Sequence, residues 1–360
     1  MIEKYYSGVI EQIYNRIGKE TRNIVMANYS NDFSIENLEV IRRYQSNEDN
    51  VFFAYSEFSY NTLVGAYEPF LDIICNMHRR FIGGSFDDFQ KECGVYYLHR
   101  QVLNSYYETG ECFREETVLL NEVAYEQRRM TMAIADMLKK LSEVKPLMIV
   151  INRFQMASKS SIETIKYLID NPCANIGIVL GVNAIVKGTD STVEVWDRIV
   201  ESLEDRSAIY YIGSAGPLKN NVKTTNDDEL YITMNFEQSI QEASNIMEFL
   251  DFEQARRGCR IIEHKLKFED AWIDEKSLRR FYMVYARTSV LLGEMSKAIE
   301  LTNEYKALIP ENDSEHYLSL YYFMKGTCYM YQGKLEKAGN SAKSAYDLSL
   351  IHISEPTRRS

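Results

Sequence analysis

The sequence predicts two architectures in series: an α/β part built on a five-stranded parallel sheet flanked by helices, then an all-α solenoid of helical hairpins. Five short apolar runs, at 23–27, 51–55, 147–151, 176–182 and 208–212, alternate with amphipathic stretches. That is the pattern of parallel strands covered on both faces. From Phe236 onward every readable segment has helical periodicity. The chain of 360 residues is long enough for two domains of about 100–200 residues each.

Taken in order, residues 1–19 form an amphipathic helix, with Ile2, Tyr5, Tyr6, Val9, Ile10, Ile13, Tyr14 and Ile17 at helical spacing. Strand NIVMA (23–27) follows, then a polar loop and a helix from Ser34, a side chain suited to an N-cap, to Gln45. Strand VFFAY (51–55) leads to a helix near 67–81. Residues 115–141 predict a long helix, with Leu119, Leu120, Val123, Met130, Ile134, Met137 and Leu141 on one stripe. Strand LMIVI (147–151) precedes a helix at 161–169, and IGIVLGV (176–182) precedes one at 193–203. AIYYI (208–212) ends at a Gly-Ser-Ala-Gly-Pro turn. The expected domains are therefore the helix 1–19, an α/β domain 20–213, a polar linker 214–235 and helical repeats 236–347.

Composition narrows the function. With 41 Lys+Arg against 52 Asp+Glu, a net charge of −11 and no basic run, the chain lacks the clustered cations that phosphate contacts need. Nucleic acid is thus not an expected partner. The longest apolar stretch, Ile176–Val186, is too short to span a bilayer, and MIEKYYSGVIEQIY lacks a basic-then-apolar leader. No membrane association and a cytoplasmic location follow as expectations. Cysteines at 75, 93, 112, 173, 259 and 328 form no CxxC pair, and the five histidines form no HxxxH or HExxH pair. No metal site is expected, and the histidines read as structural. The many tyrosines at helical spacing, among them Tyr282, Tyr285, Tyr317, Tyr321 and Tyr322, read as seam filling between stacked helices.

In the helical part Gly293, Ala298 and Pro310 recur as Gly333, Ala338 and Ala345. A turn glycine with a close-packed alanine five positions on resembles the tetratricopeptide repeat, although the 40-residue spacing from Gly293 to Gly333 exceeds the usual period of about 34. The resemblance implies a concave face that binds a protein partner. Residues 348–358, LSLIHISEPTR, resemble a translated sequencing adapter. Residues 348–360 are therefore expected to be a non-native tail, and the natural protein is expected to continue beyond Asp347.

The segment PLMIVINRFQMASKSSIETIKYLI resembles the Walker B region of signal-transduction AAA+-like ATPases, through strand 147–151, Gln155, Ala157, Ser160 and Ser161. The strand ending Gly181-Val182-Asn183 resembles that family's sensor strand. VFFAYSEFSYNTLVGAYEPFLDII resembles its second strand followed by a Tyr-x-Pro segment. The resemblance covers residues 20–213 and implies a P-loop-type sheet. The departures bear on activity. A P-loop, G-x-x-x-x-G-K-[ST], cradles phosphate with backbone N–H groups, a lysine and a Mg²⁺-binding hydroxyl. Here Ala27 to Ser34 read ANYSNDFS: Ala27 and Asp32 stand at the glycine positions, Phe33 at the lysine, and Ser34 alone keeps its type. At Walker B the metal-ligand position is Asn152 and the catalytic acid is Arg153, which cannot activate water. Asn183 is the sensor-like residue.

The expected function is thus a non-catalytic regulatory module, a pseudo-ATPase domain joined to protein-binding repeats, with no catalytic residue, no metal and no ATP or Mg²⁺ as cofactor. The resemblance allows an output domain, helix-turn-helix or cyclase, beyond Asp347. Two rivals stand beside it. One is an active NTPase with an atypical phosphate site that draws a cation from Arg22, Arg42, Arg43 or Arg153. The other is an inert interaction scaffold on an unrelated α/β fold.

Overall fold

The computed structural model describes residues 2–19, 23–28, 38–46, 50–58, 63–114, 118–119, 121–183, 208–212, 235–268, 273–311 and 314–354. They belong to two units, one of Met1–Glu116 and Tyr125–Thr233, the other of Thr117–Ala124 and Met234–Ser360.

In the first unit five segments are extended: β1 (Asn23–Asn28), β2 (Phe52–Glu57), β3 (Leu147–Asn152), β4 (Ile176–Asn183) and β5 (Ala208–Ile212). The strands with described side chains, β2, β3 and β4, form a parallel three-stranded sheet with β3 central. Phe52 lies opposite Leu147, and Leu147 opposite Ile176. Beyond β4 the backbone ladder continues through β1 to β5. The helices of this unit are α1 (Ile2–Tyr14), α2 (Glu39–Ser46), α3 (Phe70–Met77), α4 (Phe86–Glu92), α5 (Tyr97–Thr109), α6 (Val123–Val144) and α7 (Lys159–Asp170). A π-helical turn, His78–Ile82, extends α3.

This corrects the expected fold class. A five-stranded P-loop-type sheet was to be the organising element of an α/β domain. The described molecule is instead mainly helical, and the sheet whose side chains it packs is three-stranded and parallel. The connection between β2 and β3 is the physical reason. A single crossover helix would suffice there, but the chain builds α3 through α6 in it, so helix outweighs strand. Boundaries shift too. The 115–141 helix begins only at Val123, and Leu119 lies outside it, 46% exposed. The predicted Ser34 cap and the 193–203 helix lie outside the described residues.

Alternation along β3 sends Met148 and Val150 to one face and Leu147, Ile149 and Ile151 to the other, and all five are buried. The first face packs with Val9, Ile10 and Ile13 of α1, Leu38, and Val40 and Ile41 of α2, alongside Phe53 and Val179. Tyr14 stacks on Tyr44 at 3.8 Å between ring centroids, and Glu11 pairs with Arg43, so α1 and α2 are joined at their outer edges as well. The N-terminal helix is thereby part of the first unit's core. Its approach to β4 requires Gly177, where a Cβ would stand 2.9 Å from Ile13 Cγ2.

The described residues of the second unit form three helical hairpins: α8 (Phe236–Glu248) with α9 (Phe252–Phe268), α10 (Glu275–Leu291) with α11 (Met295–Ala307), and α12 (Ser314–Tyr331) with α13 (Leu335–Ser354). Each pair is closed by a three-residue turn: Phe249-Leu250-Asp251, Leu292-Gly293-Glu294 and Gln332-Gly333-Lys334. The central residue is left-handed in all three, with φ of 70° at Leu250, 79° at Gly293 and 73° at Gly333. The closing bonds also match, Asp251 N–H to Ile246 O, Glu294 N–H to Ser289 O and Lys334 N–H to Tyr329 O. Two repeats were legible because their turns carry glycine. The first was not, because Leu250 holds that position. A left-handed non-glycine residue costs about 1–2 kcal/mol, which burial of the leucine side chain, worth about 1.5–3 kcal/mol, offsets. Five residues past each turn stands Ala255, Ala298 or Ala338, and the first two are fully buried. Ion pairs tie neighbouring hairpins, Arg287 to Glu248 at 2.9 Å and Lys297 to Glu263 at 3.0 Å.

Two stability outcomes follow. Gly177→Val should lower unfolding free energy by about 1–3 kcal/mol in urea denaturation, because α1 must move away from β4. Gly293→Ala should lower it by about 1–2 kcal/mol, through backbone strain alone, since no atom lies within 4 Å of the added methyl.

Candidate functional site

The carboxyl end of β3 is where the buried sheet first meets polar chemistry. Asn152, the last residue of β3, is 8% exposed and lies opposite Glu57 at the end of β2. Its carbonyl accepts the Phe58 N–H at 3.2 Å. The chain then turns sharply, with Arg153 left-handed at φ 54°, and a 3₁₀ turn over Phe154–Met156 drives Phe154 into the core beside Phe58. The turn directs the Arg153 guanidinium back across the strand ends. Its Nη2 lies 3.0 Å from Glu57 Oε1, while the Tyr55 hydroxyl donates to Glu57 Oε2 at 3.0 Å. The Glu57 carboxylate therefore has a hydrogen-bonding partner on each oxygen, one of them a cation. The two contacts fix the orientation of the carboxylate across the strand ends.

The remaining sequence-predicted site residues are placed unevenly. Ala27 and Asn28 end β1, and the Asn28 backbone lies opposite Asn183 at the end of β4. Asp32, Phe33 and Ser34 lie outside the described residues, and of the remaining predicted site residues the structure brings together Asn152 and Arg153. Glu57 was missed by sequence reading. The signal was available as a lone acid ending an apolar strand, the strand paired with the one that Arg153 follows.

The matched serines serve the fold. Ser158 caps α7, its hydroxyl accepting the Ser161 N–H at 3.4 Å. Ser160 Oγ accepts the N–H of Tyr67 at 3.0 Å, and Ser161 Oγ donates to the Glu68 carbonyl at 2.6 Å. Tyr67 is left-handed and buried, so its backbone polar groups have no access to water. The Ser-Ser start of α7 thus fastens the Tyr-x-Pro segment that opens α3. Burial raises the Glu68 carboxyl above its usual range, against a 2.9 Å bond from the Gly65 N–H.

A second polar cluster lies between α5 and α6. His99 is fully buried, with Nε2 3.0 Å from Glu126 Oε2, and Arg129 reaches the other Glu126 oxygen at 3.2 Å. Arg129 also covers the Tyr96 ring at 3.7 Å. Burial, reinforced by the positive charges of Arg114 and Arg129, holds His99 down at about 3, so the imidazole is neutral at physiological pH. It reads as core and not as an acid–base group. The thiols of Cys75, Cys93 and Cys328 are pushed up to about 11, 12 and 11 by burial, and that of Cys259 is raised further, so none of the four is a nucleophile at neutral pH. Among the described residues no group of three or more His, Cys, Asp or Glu could hold a metal ion, and no helix is long and apolar enough to cross a membrane.

His99 gives a pH signature. Its folded-state pKa lies below the ordinary 6.5, so its contribution to stability is complete above pH 6.5 and is lost as pH falls toward about 3. Urea midpoints measured across that window should fall with acid in the native chain and fall less steeply in His99→Gln. Comparison with protein-family models, with curated proteins and with solved structures found no match.

Proposed function

We propose that this chain is a non-catalytic regulatory and scaffold module of a larger signalling protein, a pseudo-ATPase unit joined to protein-binding helical repeats. The observation that carries the reading is the Arg153–Glu57 pair. In the family that residues 147–161 resemble, the position after the strand's metal-binding acid carries the carboxylate that activates water. Here that position carries a guanidinium, and the nearest carboxylate is already engaged by it. Asn152 before it is a weaker, neutral ligand for Mg²⁺, which prefers carboxylates and water.

In the second unit the three hairpins share one turn geometry and a recurring alanine, which supports the tetratricopeptide likeness and a protein partner on the concave surface. The acidic balance argues against nucleic acid, and a cytoplasmic location belongs to the same proposal.

The test is nucleotide titration. A fluorescent ATP analogue, with and without Mg²⁺, should show no saturable binding below about 1 mM, and phosphate release should not exceed a blank. Turnover that disappears in Arg153→Ala would favour the atypical NTPase instead. Binding without turnover would make the first unit a nucleotide sensor.

A further inference from the structure

Three helices of the second unit, α10, α11 and α12, bring cations to the junction between the second and third hairpins. Arg279, near the start of α10, donates from Nη1 to the Leu308 carbonyl at 2.9 Å and covers the Tyr317 ring at 4.9 Å. Lys306, near the end of α11, and Lys325, on α12, approach the Tyr321 ring at 5.2 and 5.1 Å. Lys325 Nζ also donates to the Tyr321 hydroxyl at 2.7 Å. Tyr317, Tyr321 and Lys325 follow one another by single turns of α12, so the three cations gather along one face of it. Among the described residues the sole carboxylate paired with any of them is Glu275, 3.6 Å from Arg279 Nη1 and itself 76% exposed. By contrast Arg287 and Lys297 meet Glu248 and Glu263 at 2.9 and 3.0 Å. In a chain with 52 acids to 41 bases, a cationic line so poorly matched is an exception.

The inner end of this line also holds two polar groups that the fold leaves unused. Tyr305 is 2% exposed, and its buried hydroxyl has no hydrogen-bond partner. Arg279 Nε is likewise buried and without one. The Arg279 charge and the Tyr317 hydroxyl both act electrostatically on Tyr305, so the three side chains converge. Burial pushes the Tyr305 hydroxyl up to about 12, so it stays protonated and can donate. A buried donor without an acceptor costs stability, a cost that phenylalanine at 305 would avoid. Two such donors side by side, one of them on a cation, are what an incoming anionic acceptor requires.

We infer that this junction binds carboxylates of an acidic segment in a protein partner, one seated on Arg279 and Tyr305 and a second on Lys306 and Lys325. The inference rests on the protein-binding reading of the repeats and supplies the partner's chemistry. Carboxylate follows from the donor set. With Nη1 committed to Leu308, the side-on edge of Arg279, Nε and Nη2, offers two parallel N–H groups that match two carboxylate oxygens. A lone pair remains for the Tyr305 hydroxyl. The Arg279 side chain, 11% exposed, is the one cation of the inner end. A singly charged group neutralises it there, whereas a phosphate dianion would leave a buried excess of charge. Exposed Lys306 and half-buried Lys325 then meet a neighbouring acid at the rim.

Fluorescence anisotropy of a labelled octaglutamate peptide with the full chain should show saturable binding below about 1 mM that weakens as salt rises. The matching octaglutamine peptide should not bind. Tyr305→Phe removes only the unpartnered hydroxyl, so it should keep or raise the melting temperature while weakening the peptide at least about threefold. Arg279→Gln should weaken it at least about tenfold, and Lys306→Gln and Lys325→Gln about threefold each. A native chain that binds no octaglutamate at about 1 mM overturns the inference. So does inorganic phosphate that displaces the peptide at lower concentration than acetate does. Octaglutamate binding unchanged in both Tyr305→Phe and Arg279→Gln overturns this site while leaving the protein-binding reading of the repeats in place. The nucleotide titration bears on the first unit and is read separately.

Discussion

β3 is buried along its whole length, and that constraint organises the first unit. Five successive residues, Leu147 to Ile151, have no access to water, so β3 can carry no charge until its chain emerges at Asn152. Burial on both faces requires a cover for each, and α1 with α2 supplies one of them. It also concentrates the polar chemistry of the sheet at one edge. The left-handed Arg153 is the first residue free of the strand, and it turns its charge back to Glu57 at the end of the neighbouring strand.

Much of the strand pattern was legible because burial on both faces writes itself as continuous Val, Ile, Leu and Met, which no surface segment can afford. Strands β1 through β5 each lie within a residue or two of the apolar runs that announced them. What the pattern could not convey was the weight of each class. Helices α3 to α6 occupy a single connection, and their turn residues, among them Gly83, Gly84, Gly94 and Gly110, are scattered with no common period. The site divided in the same way. Arg153 stood out in sequence as a charge directly after an apolar strand, whereas Glu57 became visible only once parallel register set β2 beside β3.

The helical unit shows the complementary limit. A repeat is read from its least replaceable residue, and a left-handed turn selects glycine strongly enough to mark Gly293 and Gly333. At Leu250 the backbone takes the same conformation with the wrong residue, because buried leucine surface outweighs the strain. The turn's hydrogen bonds are conserved in geometry while its sequence marker is lost. Self-similarity in structure therefore extends one hairpin further than self-similarity in sequence.

The Arg153–Glu57 pair is a poor candidate for a device of stability. With the Arg153 side chain 37% exposed, its net worth lies in the range of about 0–1 kcal/mol typical of solvent-screened pairs. Its consequence is chemical. An Arg153→Glu substitution would set a new carboxylate against Glu57 with no cation between them. Two like charges at that distance raise one another's pKa and disfavour the doubly ionised state unless a metal or lysine intervenes. Arg153 and Glu57 are thus matched in charge across the strand ends, and a change at one is felt at the other.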